Sequence, residues 1–177
     1  MRYRLCLLKK EPFSGILSAI GILGGRNEEL PVALFDSDSQ GKATAKLLRE
    51  GLYAAEPKLV LEVEPFTGLA DSEIEDLLPP ELLARELDWW QRGSDVPFAD
   101  EMKAGTAIVP QIEAWAAKHK VELAKPGWKV ELAKRVKQRL LADGPDAVAK
   151  DVLDRWENVF ATFQLVRTTP TTAAKTP

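Results

Sequence analysis

Cysteine and histidine are almost absent from this chain of 177 residues: Cys6 is the one thiol and His119 the one imidazole. That scarcity excludes a disulfide framework and any zinc cluster of Cys and His, and it leaves Cys6 with His119 as the one conceivable Cys/His nucleophilic pair. There is no apolar run of the roughly 18 residues a membrane helix needs, and Met1-Arg2-Tyr3-Arg4 does not open a signal peptide, so a soluble cytoplasmic protein is expected. No G-x-x-x-x-G-K-[ST] occurs, which excludes a P-loop. Excess positive charge is missing too: 24 Lys and Arg face 27 Asp and Glu, so nucleic acid could be held only by a local basic patch.

What is present is hydrophobic residue enough for one domain with a core, 45% of the chain, and 29% charge. Chemistry must therefore run on carboxylates, lysines and hydroxyls. The most informative stretch is Pro31-Val32-Ala33-Leu34-Phe35-Asp36-Ser37-Asp38-Ser39-Gln40-Gly41-Lys42, an apolar strand ending in two carboxylates one residue apart. Like charges at a strand tip repel unless a divalent cation or a reacting phosphate neutralises them, which makes a metal site the first hypothesis. The competing reading is local: Asp36 caps a helix or closes a turn with Gly41.

Periodicity supplies the frame. Arg2–Leu8 reads as a short strand or a poorly ordered start, and Phe13–Leu23 as a helix closed by Gly24-Gly25. Val32–Phe35 is a strand covered on both faces, Lys42–Leu52 a helix with Ala43, Leu47 and Leu48 inward, and Lys58–Val63 the next strand. That order is a right-handed parallel crossover, and such sheets bind ligands at the carboxyl ends of their strands. Pro65–Pro80 reads as a loop carrying the acids Asp71, Glu73, Glu75 and Asp76. Helices are expected over Leu82–Trp90, Ile108–Lys120, Trp128–Leu141 and Pro145–Phe163, with a loop over Arg92–Asp100. In the helix from Trp128 the expected inward stripe is Val130, Ala133, Val136 and Leu140. Thr168–Pro177 is too polar to bury anything.

D-x-D has three possible owners. A calcium-binding loop requires a bidentate Glu at its twelfth position, which is Leu47 here, and is discarded. A haloacid-dehalogenase-like phosphatase would use Asp36 as nucleophile and Asp38 as general acid and base, but Ser39 departs from its motif and no later acidic pair fits. The third is the topoisomerase-primase (Toprim) domain. Leu34-Phe35-Asp36-Ser37-Asp38-Ser39-Gln40-Gly41, the downstream Glu73-Ile74-Glu75-Asp76-Leu77-Leu78 and the segment Trp128-Lys129-Val130-Glu131-Leu132-Ala133, in that order, resemble the C-terminal nuclease region of the overcoming-lysogenization-defect (OLD) family of ATP-dependent endonucleases. The resemblance covers roughly residues 31–140.

What it implies is an α/β fold with a small, mostly parallel sheet flanked by helices and a helical carboxyl half. Residues 1–142 would be the Toprim-like domain, 143–167 a terminal helix and 168–177 a disordered tail. It implies two-metal hydrolysis of DNA with Mg2+ or Mn2+, Asp36 and Asp38 binding one ion, Glu73 and Glu75 contributing to the second, and Lys129 steadying the phosphate in the transition state. Asp76 would stand behind the ligands. The partners implied are DNA and an ATPase domain that this chain lacks, with no membrane and with association of copies left open. Toprim domains also carry a glutamate at the end of a first strand. Glu11 is too close to Asp36 for a full strand-helix-strand unit, and Glu28 and Glu29 closer still, so the expectation is an amino-truncated chain, either a fragment of a longer gene product or a degenerate relative that binds metal poorly, with a catalytically dead DNA- or partner-binding remnant as the non-enzyme alternative. Local alternatives stay open: the acids of 71–76 as a helix start, Lys129 as a solvated lysine, with Lys134 or Arg135 able to take its role, and Trp89, Trp90, Trp115, Trp128 and Trp156 as core or interface rather than stacking residues.

Overall fold

A computed structural model describes residues 6–7, 30–123, 127–144 and 148–168. Within them a three-stranded parallel sheet runs in the order β1 (Cys6–Leu7), β2 (Ala33–Phe35), β3 (Val60–Glu62). Cys6 pairs with Ala33 and Leu7 with Leu34, while Ala33, Leu34 and Phe35 pair with Val60, Leu61 and Glu62. The architecture is α/β and mostly helical. β1 falls inside the stretch read as a short strand, and its parallel pairing puts a strand ahead of the Asp36 strand. The expected helix over Phe13–Leu23, Glu11, Glu28, Glu29 and the tail beyond Thr168 lie outside the described residues.

β2 is buried on both faces, as its unbroken apolar run requires. Successive side chains point to opposite sides. Ala33 and Phe35 pack with Ala45, Leu48, Tyr53 and Val60, whereas Leu34 packs with Val63, Leu77 and Val159. Helix α1 (Ser39–Glu50) thus covers one face and α7 (Lys150–Thr168) the other. The inward residues of α1 are Ala45 and Leu48; Ala43 and Leu47, expected inward, are exposed, Leu47 to 55%. The helix starts earlier than expected because Asp38 caps it. Arg49 reaches from α1 to β3, donating to the Val60 carbonyl at 2.7 Å and pairing with Glu62 at 2.6 Å.

The strand expected from Lys58 begins with a 3-10 turn, Pro57–Leu59, before β3. The expected loop after it contains two short helical pieces, α2 (Glu64–Thr67) and a 3-10 turn at Ile74–Leu77. Then come α3 (Pro80–Trp90), α4 (Phe98–Glu101, within an expected loop), α5 (Ile108–Lys118) and α6 (Trp128–Asp143). Their shared core holds Leu83, Leu87, Phe98, Ile112, Trp115 and Leu132. In α6 the buried face is Trp128, Lys129, Leu132 and Val136; Val130 and Ala133, expected inward, are exposed. Burying one such helix face contributes on the order of 1.5–3 kcal/mol per large apolar side chain. None of the described helices is long and apolar enough to cross a membrane.

Candidate metal centre

The loops at the carboxyl edge of the sheet bring the acidic segments together. Asp36 follows the last residue of β2, and its Oδ1 accepts the Ile74 backbone N–H at 2.9 Å. Ser37, fully buried, ties the same two segments through its N–H, which donates to the Ser72 carbonyl at 2.7 Å, and holds the start of α2 through its Oγ, which accepts the Glu64 N–H at 2.8 Å. These contacts register the Asp36 loop against the chain carrying Glu73 and Glu75. One carboxylate oxygen each of Asp36, Glu73 and Glu75 consequently lies within 4.8 Å of the others.

Asp38 is not part of that group. Its Oδ1 accepts the Gly41 N–H at 2.6 Å and caps α1, satisfying an amide that has no partner inside the helix. Gly41 is there for space: a Cβ on it would stand 2.0 Å from the Asp36 carbonyl oxygen. Asp76 backs the Glu73 backbone. Its Oδ2 accepts the Glu73 N–H at 2.8 Å and its Oδ1 the Ile108 N–H at 2.7 Å, so one carboxylate locks the Glu73 backbone to the start of α5. Arg155 of α7 donates to the Asp76 carbonyl at 2.7 Å.

Lys129, in the first turn of α6, is buried, and its Nζ donates to Glu73 Oε2 in a buried ion pair. Of the sequence-derived site residues, Asp36, Glu73, Glu75 and Lys129 therefore converge, and Asp38 does not. The electrostatics follow. Burial pushes the Glu73 carboxyl above its usual range, and the charges of Asp36 and Glu75 push the same way against the hydrogen bond from Lys129. For Lys129 burial works against the charged form, but Glu73, Glu75 and Asp36 outweigh it and hold the ammonium above its ordinary value. Burial raises Asp76 as well, against the hydrogen bonds from the Glu73 and Ile108 amides.

Three carboxylates and one ammonium leave negative charge over at this edge. A hard, oxygen-only donor set of this kind suits Mg2+ or Mn2+ rather than softer ions. A cavity of about 170 Å³ opens beside Glu75 and Asp76, with Met102, Lys103 and Thr106 in its wall. Sequence reasoning missed Ser37 and Lys42. Lys42 links α1 to Glu64 at 2.9 Å and Asp71 at 3.3 Å, and the Gln-Gly-Lys order after D-x-D was its available signal. Comparison of the chain with protein-family models, with curated proteins and with solved structures finds no match.

Proposed function

We propose that this chain is a divalent-metal-dependent nuclease module of Toprim ancestry related to the OLD-type endonucleases, hydrolysing phosphodiester bonds in DNA. The observation that carries the reading is the meeting of Asp36 with Glu73 and Glu75, two segments far apart in sequence, beside a buried Lys129. Their oxygens fit Mg2+ or Mn2+, which when bound supplies Lewis acidity and a lowered water pKa.

The chain's own residues do the rest. Asp36, with Oδ1 fixed by the Ile74 N–H, is a preorganised ligand rather than a mobile one. Glu73 is placed by Asp76 and divides its charge between Lys129 and the cation. Lys129, held charged by the carboxylates around it, offsets the negative charge that grows on a phosphate in the transition state; preorganised charge in a dry site is worth far more there than in water. Asp38 builds the helix start and takes no ligand role in this reading.

Calorimetric titration with Mn2+ tests it. The parent should bind, and Asp36→Asn and Glu75→Gln should each lose the heat. Plasmid nicking in Mn2+ should be lost in both variants and in Lys129→Met. Absence of Mn2+ heat in the parent refutes the metal centre. A beryllofluoride adduct at Asp36 without nicking would instead favour phosphatase chemistry.

A further inference from the structure

The C-terminal end of α3 carries a tryptophan that the core does not use. Trp89 is 56% exposed, while the guanidinium of Arg92 lies 4.7 Å and that of Arg135 5.6 Å from its ring centroid. Arg92 is held in place by its own Nε–H bond to the Trp89 carbonyl at 3.2 Å. Arg135 also lies 5.4 Å from the Trp90 ring, and its buried Nε has no hydrogen-bond partner, with the Glu131 carboxylate 3.6 Å away. Apart from Lys129, which is buried against Glu73, α6 carries Lys134, Arg135, Lys137 and Arg139 against Glu131 and Asp143; Lys134 lies 3.7 Å from Glu131 and Arg139 3.1 Å from Glu86, and Lys134 and Lys137 are exposed.

We infer that Trp89, Arg92 and Arg135 form a platform for an unpaired base of a single-stranded nucleic acid, the indole stacking on the base and the guanidiniums meeting adjacent phosphates. Exposed aromatics set among cations are the chemistry by which single strands are held without sequence readout, since every base has a π-face. A duplex hides its bases and offers the indole nothing to stack on. The platform shares α6 with the lysine of the acidic cluster. Arg135 follows Lys129 by six residues on α6, about 9 Å along the axis at 1.5 Å per residue and a third of a turn round it. As a substrate-positioning device the platform rests on the nuclease reading, but its binding is measurable without cleavage.

The experiment is anisotropy titration of a labelled thymidine oligomer of about 12 nucleotides, in EDTA and low salt, with the full chain. The parent should bind the single strand more tightly than the same oligomer in a duplex, and lose that preference for an abasic oligomer. Trp89→Ala should weaken single-strand binding roughly 5- to 100-fold, leave abasic binding unchanged and melt at the parent's temperature. Trp89→Phe should restore part of the affinity, and Arg92→Ala should lower the salt dependence. Equal binding by parent and Trp89→Ala, equal binding of normal and abasic strands, or no binding at all overturns the platform. Plasmid nicking by the same proteins separates the two readings. Nicking that persists while Trp89→Ala binds like the parent overturns the platform alone; strand binding that needs Trp89 without any nicking supports the platform and overturns the nuclease reading.

Discussion

Lys129→Met is the sharpest probe of the acidic edge. The lysine and Glu73 side chains are 10% and 7% exposed, so neither is rescued by water when its partner goes. Removing one member of a buried pair costs about 3–5 kcal/mol, chiefly because the other charge stays behind unpaired. Here the abandoned Glu73 also faces Asp36 and Glu75. For a chain of this size roughly 2–4 °C of melting temperature goes with each kcal/mol, which predicts a fall of roughly 6–20 °C in EDTA. Manganese should reverse much of it. A ligand at a hundred times its Kd adds about 2.7 kcal/mol, and in Lys129→Met no ammonium competes for Glu73, so the variant should gain more from Mn2+ than the parent does. The double variant Lys129→Met with Glu73→Gln should melt well above Lys129→Met in EDTA, because neither charge is left alone. Thermal melts of the three proteins with EDTA and with Mn2+ decide the matter. A Lys129→Met that melts within about 2 °C of the parent in EDTA, or a manganese shift no larger than the parent's, refutes the coupling between lysine and cluster.

Three further outcomes are expected. Asp38→Ala should cost about 0.5–2 kcal/mol as a lost cap yet keep its Mn2+ heat, whereas Asp36→Asn should lose the heat, as calorimetry and denaturant melts will read. Gly41→Ala, forced against the Asp36 carbonyl, should lose roughly 1–3 kcal/mol by denaturant melt and weaken Mn2+ binding through the displaced Asp36 loop. Folded Glu73 holds its proton above the ordinary value of 4.5, so between that value and its raised one the folded state binds more protons than the unfolded. Its contribution to stability therefore declines as pH rises through the window and stays at its lowest above it. Glu73→Gln should remove that decline, flattening urea midpoints measured from about pH 4.5 to 8 relative to the parent; an unchanged slope would show that Glu73 titrates normally.

Where one residue type can serve only one purpose, sequence was readable. The apolar run of β2 had to be a covered strand, and its abrupt charge had to sit at the sheet's carboxyl edge, which is where Asp36 is. D-x-D itself did not discriminate between ligand and cap, because Asp-Ser-Gln-Gly is equally good for starting a helix; only the direction of the Asp38 side chain separates them. The burial of Lys129 was invisible for a different reason. In α6 the stripe through Val130 and Ala133 scores as apolar, but the packed face is rotated toward Trp128 and Leu132, and the lysine on that face is tolerated only because Glu73, 56 residues away in sequence, meets it. Ser37 leaves no trace in composition or period, yet its backbone N–H ties the two acidic segments together while its hydroxyl holds the start of α2.

Arg49 has a bearing on how copies of this protein can meet. β3 terminates the described sheet, and the outer strand of a sheet invites another chain to pair along its free amides and carbonyls. By occupying the Val60 carbonyl and neutralising Glu62, the guanidinium works as a stopper on that side. An additional strand would have to evict a charged group to reach the Val60 carbonyl, so self-association by sheet extension past β3 is disfavoured, and truncating Arg49 would open the route.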